Sequence, residues 1–199
     1  MTELHTNVAP VPPMSPEAGM SLHEMGSLLL GQAIDVQQPT DLLLEVRNAR
    51  LDAALNPEGT LPHITLINTY ERHPRQSATA GVDSYVNRVL NDAGEDVGYV
   101  HITMPYGKSA EKPGAGALVE KIELQKNQGF GKAAYLEVLK RLPVGVTLRS
   151  GGGGSLSPDA LKVWRWMEAA GVARNLTPDQ ELIPNEKGKF EGTRFRTIF

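Results

Sequence analysis

The sequence predicts a mixed α/β fold, a sheet of both strand directions flanked by helices, and three observations predict it. Short runs rich in β-branched residues, HITLINTY (63–70) and VGYVHITM (97–104), stand apart from segments whose apolar residues recur at helical spacing. Residues 117–149 read as strand, glycine-rich turn, helix and strand, which implies two parallel strands joined by a right-handed crossover. The 199 residues suffice for one well-buried core, so a single domain over 21–199 is expected.

The elements follow in chain order. Pro10, Pro12, Pro13 and Pro16, with little to bury around them, predict an extended arm over 1–20. Ser21 and Glu24 have capping-box spacing, and Leu22, Met25, Leu28 and Leu29 suit a short helix stopped near Gly31. DLLLEVRNARLDAAL fits either a strand at its start or a helix throughout. After the strand at 63–70, Asp83 reads as a cap for a helix over SYVNRVL. The strand at 97–104 leads into PYGKSAEKPGAG (105–116), a turn-rich surface loop that could carry a substrate contact.

In ALVEKIELQ the even positions Leu118, Glu120, Ile122 and Leu124 share one strand face, while Lys121, Glu123 and Gln125 point the other way. Ala134, Tyr135, Val138, Leu139 and Leu142 then recur at helical spacing, and Pro143 ends that helix before the strand VGVTLRS. Four glycines (151–154) precede Ser157, Pro158 and Asp159, strong helix-start signals, with Gly171 as the C-terminal cap. Ala160, Val163, Trp164, Met167 and Ala170 form one apolar stripe between them, and both tryptophans read as packing residues. GTRFRTIF closes the chain as an alternating strand.

Composition narrows the function classes. An apolar fraction of 40%, 22% charged and 6% aromatic residues belong to an ordinary globular protein. A formal charge of -3 gives no global reason to bind nucleic acid or an anionic membrane, and neither partner is expected. With no cysteine there is no disulfide, thiolate nucleophile or Cys-ligated zinc, and the five histidines lack ligand spacing, so no metal is expected. The N-terminus lacks a basic and apolar leader and no apolar run is long enough to span a membrane, which makes the cytoplasm the default location.

The chemistry concentrates in QKNQGFGK (125–132). A strand feeding a glycine turn into a helix leaves backbone N–H groups unpaired at the helix start, where the helix dipole adds partial positive charge. Gly129 and Gly131 let a pyrophosphate approach the main chain without an intervening Cβ, and Lys126 and Lys132 add charge. A Walker loop is excluded, because Lys126 stands at the first glycine position and Ala133 at the final Ser/Thr position. GFGKAA satisfies GxGxxA, and Arg149 at the end of the next strand suits an NADP-type contact, so a nucleotide-cofactor domain is one alternative.

KNQGFG also resembles the (Arg/Gln)-x-x-Gly-x-(Gly/Ala) signature of the GCN5-related N-acetyltransferases, with Lys126 in place of the first residue. The resemblance covers residues 117–173, where SPDALKVWRWMEAAGVA follows the signature helix and strand, and extends loosely to the strands at 63–70 and 97–104. It implies the acyl-CoA N-acyltransferase fold and acetyl-CoA as co-substrate. Glu123, Leu124 and Gln125 would then offer main-chain groups to the acetyl and pantetheine part, with the pyrophosphate on the backbone amides of Asn127, Gln128, Gly129, Phe130, Gly131 and Lys132 beside the charge of Lys126.

Attack by a neutral amine calls for a carboxylate base of raised pKa, with Glu120 the first choice and Glu123 the second. Where the family commonly has a proton-donating tyrosine, Met167 stands here, leaving Ser155 or Ser157 as substitutes, or a thiolate that departs unaided. A catalytically inactive member that binds a partner or regulatory ligand is therefore a second alternative. The acceptor is expected to be a primary amine, small molecule or peptide, with a cationic one suggested by the acidic chain, and a homodimer is left open.

Overall fold

The computed structural model describes residues 39–72, 80–112, 114–126, 128–150 and 155–198. The expected arm over 1–20, the helix from Ser21 and the glycines at 151–154 lie outside the described residues.

The segment that fits strand or helix is a helix throughout, α1 (Pro39–Leu55), and its Leu51 and Leu55 are buried one turn apart. There follow β1 (Ile64–Arg72), β2 (Ala80–Asn91), β3 (Asp96–Gly107) and β4 (Ala117–Leu124). Then come α2 (Phe130–Arg141), β5 (Leu148–Arg149), β6 (Ser155–Leu156) and α3 (Pro158–Ala169). β7 (Ala173–Asn175), β8 (Phe190–Glu191) and β9 (Phe195–Thr197) complete the order. The fold is mixed α/β, with one seven-stranded sheet in the order β1-β2-β3-β4-β5-β9-β7 and a small β6–β8 ribbon.

SYVNRVL is a correction. It belongs to β2, paired antiparallel with β1 from Ile64↔Asn91 to Arg72↔Asp83, and Asp83 caps nothing helical. Val89 and Asn87 are buried while Arg88 is exposed, an alternation that cross-strand pairing on both edges enforces over the helical reading of seven residues.

All neighbouring strands of the large sheet run antiparallel except β4 and β5. That parallel pair spans Ala117↔Leu148 and Leu118↔Arg149, after which β5 ends and β4 continues alone on that side to Leu124. The expected strand VGVTLRS is thus reduced to its last third, and among the described residues the edge of β4 beyond Leu118 has no partner strand there.

A β-bulge changes the faces of β4. His101 pairs with Lys121 but Ile102 with Val119, so Glu120 is the extra, unpaired residue. Ala117 and Val119 face the core before it, Ile122 and Leu124 after it. Leu118 and Glu120 therefore do not share the face of Ile122 and Leu124 as simple alternation predicts.

Helices and sheet close over a core centred on Trp164, which is fully buried, edge-on to Tyr135 at 5.7 Å and stacked on Phe195 at 5.7 Å. Those three side chains join α3, α2 and β9. Arg47 of α1 donates to the carbonyls of Lys140 (2.8 Å) and Pro143 (3.3 Å), and Asp52 pairs with Lys140 at 2.7 Å. A cation against the last carbonyls of α2 complements its dipole and fixes the helix that carries the glycine turn. Among the described residues, no helix is long and apolar enough to cross a membrane.

Candidate functional site

Gly129 is the N-cap of α2, with φ 75° and ψ −4°, a left-handed conformation that only glycine adopts cheaply. A Cβ there would also come within 3.4 Å of the Pro62 ring. No side chain caps the helix and no acidic residue occupies its first turn, so among the described residues no capping anion answers the leading amides. The first intrahelical bond, from Ala133 N to Gly129 O, is long at 3.4 Å.

Beside this turn runs the unpaired edge of β4. Gln125 N–H donates to Val97 O, toward β3; by the alternation of a ladder, the N–H and C=O of Leu124 and Ile122 face the other way, to the open edge. The second wall is α3, whose start is capped by Ser157 accepting from Ala160 N. Between them lies a cavity of about 360 Å³, lined by Ile122–Lys126, Gly129–Gly131, Tyr135, Ser157, Asp159, Ala160 and Val163. Its volume falls in the range of small-molecule sites, and the amides at the start of α2 suit a diphosphate.

Of the residues that the sequence singles out, Glu123, Leu124, Gln125, Lys126, Gly129, Phe130 and Gly131 line this cavity. Gln128 is exposed and bonds Gln125 at 3.4 Å, outside the lining. Lys132 lies over the Trp166 ring at 5.1 Å, also outside it. Asn127 lies outside the described residues. Sequence reasoning missed Ile122 and Tyr135 as lining residues, and read Ala160 and Val163 only as packing. The signal was the spacing: Tyr135 follows Gly131 by one helical turn, and Ala160 and Val163 are small side chains on the α3 stripe.

The two carboxylates part company. Glu120 is exposed at the bulge, accepts from Thr103 Oγ1 at 3.2 Å, and is not in the cavity lining. Glu123 pairs with Lys121 at 2.5 Å, and that ammonium, with Tyr99, holds its carboxyl below the ordinary value. A base of raised pKa is therefore not what Glu123 provides. The substitutes for a proton donor also separate: Ser157 lines the cavity, whereas Ser155 lies in a separate shallow depression with Asn185 and Lys187. Met167 is fully buried in the core. Tyr135 also lines the cavity, and burial pushes its phenol well above the ordinary tyrosine range, opposed only in part by the buried Trp164 indole.

The features that would suit a doubly wound dinucleotide domain are missing here. Among the described residues, only one pair of neighbouring strands is parallel, and Arg149 does not line the cavity at the glycine turn. Among the described residues, no group of three or more His, Asp or Glu is placed to hold a metal ion. Compared with known proteins, the chain matches no family model and no curated sequence.

Proposed function

We propose that the protein is an N-acetyltransferase with a GCN5-related fold, binding acetyl-CoA in the cavity between β4, α2 and α3 and transferring its acetyl group to a primary amine. One observation carries the reading: the open edge of β4, the left-handed Gly129 turn and the start of α2 converge on one cavity, with seven of the residues that the signature resemblance selects in its lining.

The residues divide the work by chemistry. Amides at Gly129, Phe130 and Gly131, with the Lys126 ammonium, suit the diphosphate. Main-chain groups of Leu124 and Ile122 suit the amides of a pantetheine arm laid along β4 as an added strand would be. The coenzyme, when bound, supplies an activated thioester. Burial raises the pKa of the Tyr135 phenol and makes it a poor acid, so the coenzyme's thiolate, a good leaving group, departs unaided. Glu120, exposed at the bulge, receives the proton that an attacking ammonium must lose; Glu123, tied to Lys121, ranks behind it.

Calorimetry with acetyl-CoA, then turnover against a panel of amines, tests the proposal. Measurable binding and acetyl transfer are expected; no heat at millimolar ligand with folded protein would count decisively against it. The complete burial of Met167 favours a second reading, a binding protein without turnover, since nothing on that face of α3 replaces the family's tyrosine. Transfer to any amine removes that reading.

A further inference from the structure

Three arginines stand side by side across neighbouring strands. Arg149 of β5 is the direct partner of Arg196 of β9, and Arg196 that of Arg174 of β7. Directly paired residues share a face with Cβ atoms roughly 4.5–5.5 Å apart, and like charges in that relation repel. Among the described residues, no carboxylate lies within ion-pairing distance of any of the three. Arg149 Nε and Arg196 Nε are buried without a hydrogen-bond partner. Arg196 also reaches back to the carbonyl of Gly114, at the end of the loop before β4. Burial first, then the charges of Arg149 and Arg174, lowers the Arg196 pKa, as expected where cations are stacked without an anion.

The ladder faces away from the helices. Phe195, next to Arg196, packs on Trp164 of α3, so Arg196 takes the opposite face of the sheet. Arg149 continues that row into Leu118 and Thr103, the residue that bonds Glu120. By strand spacing, Glu120 and Arg149 stand about 8 Å apart, two residues along β4 and one strand over. Arg174 is exposed and the other two arginines half-buried, so the row is accessible. Guanidinium groups in a row match the paired oxygens of a carboxylate or phosphate, and an anion bound there would relieve the repulsion.

We infer that the Arg149, Arg196 and Arg174 ladder is an oxyanion site, and that the acceptor amine is a small molecule carrying a carboxylate or phosphate which docks there with its amino group toward Glu120. The local field thus reverses the expectation of a cationic acceptor drawn from the net charge of -3. The identity of the acceptor rests on the acetyl-transfer reading; the oxyanion site does not.

The test uses inorganic phosphate as probe, titrated by calorimetry and by melting temperature at ionic strength fixed with chloride. Wild type, Arg174→Gln, Arg149→Gln and Gly131→Leu are compared, each also titrated with CoA. Losing one charge-assisted contact should weaken phosphate about tenfold in either arginine variant. Gly131→Leu should leave phosphate affinity unchanged and lose CoA. Relieved of a like charge, both arginine variants should melt no lower than wild type without phosphate. Phosphate binding that survives in the arginine variants and vanishes in Gly131→Leu would assign the anion to the glycine turn and overturn the ladder. So would arginine variants that melt well below wild type, since the arginines would then be structural. Wild-type protein that binds phosphate through the ladder but gives no CoA binding would refute the transfer reading and leave the oxyanion site standing. Given turnover, Arg174→Gln should raise KM for an anionic amine and not for its neutral ester; equal effects on both would overturn the assignment to the acceptor.

Discussion

Replacing Gly131 separates a glycine kept for folding from one kept for a ligand. Gly131 is the second residue of α2 and is not among the glycines of positive φ. A Cβ built on it would find Val163 Cγ2 as its nearest neighbour at 3.8 Å, ordinary contact, so Gly131→Ala fits without strain. Alanine should then stabilise the fold by about 0.5–1 kcal/mol, because glycine in a helix forfeits that much. For a chain of this size that is a rise of roughly 1–4 °C in Tm. The added carbon points toward Val163, which lines the cavity, and Gly131→Leu extends further into its 360 Å³. If a diphosphate sits on these amides, leucine should displace two charge-assisted contacts, a loss of about 3 kcal/mol and so of roughly a hundredfold in CoA affinity. Thermal melting and calorimetry on the three proteins decide it. Both variants melting at or above wild type while CoA binds within twofold of wild type would refute the reasoning.

Other perturbations test the frame around the cavity. Gly98 has φ 131° and a Cβ there would fall 2.0 Å from the Glu123 carbonyl oxygen, so Gly98→Ala should cost about 3 kcal/mol or more, read as a lower denaturant midpoint. Trp164→Ala should cost about 3–5 kcal/mol by emptying the centre of the aromatic cluster, visible in chemical denaturation. The Glu123 carboxyl, held low by Lys121 and Tyr99, should titrate by NMR below the ordinary carboxylate range of about 4.3 and move back up in Lys121→Met. A depressed carboxyl stabilises the fold above its unfolded pKa and loses that contribution as pH falls through the folded one. The Lys121→Met difference should therefore vanish below that acid range, and it stays small because both groups are exposed.

The glycine turn was legible because its signal is local. Two glycines one residue apart, between an alternating run and a helical run, specify the strand-to-helix junction with little help from the rest of the chain. The crossover pairing of β4 with β5 followed from the same stretch. What depended on pairing partners was not legible. SYVNRVL satisfies helical spacing over seven residues, and only β1 and β3 on either side make it a strand. The bulge at Glu120 leaves no mark in ALVEKIELQ; it exists in the register against His101 and Ile102, and it moves Glu120 away from the apolar face where alternation puts it. Arg149, Arg174 and Arg196 are 25 and 22 residues apart in sequence, and only the order β5-β9-β7 makes them neighbours. Tyr135 was visible as a helix residue, but its place at the cavity wall required knowing that α3 packs against α2.

The most direct test follows the backbone amide resonances of Gly129, Phe130 and Gly131 while CoA is titrated, with pantetheine lacking the diphosphate as control. These three amides should shift saturably with CoA and stay in place with pantetheine. Saturable CoA binding that leaves all three unmoved would contradict the account.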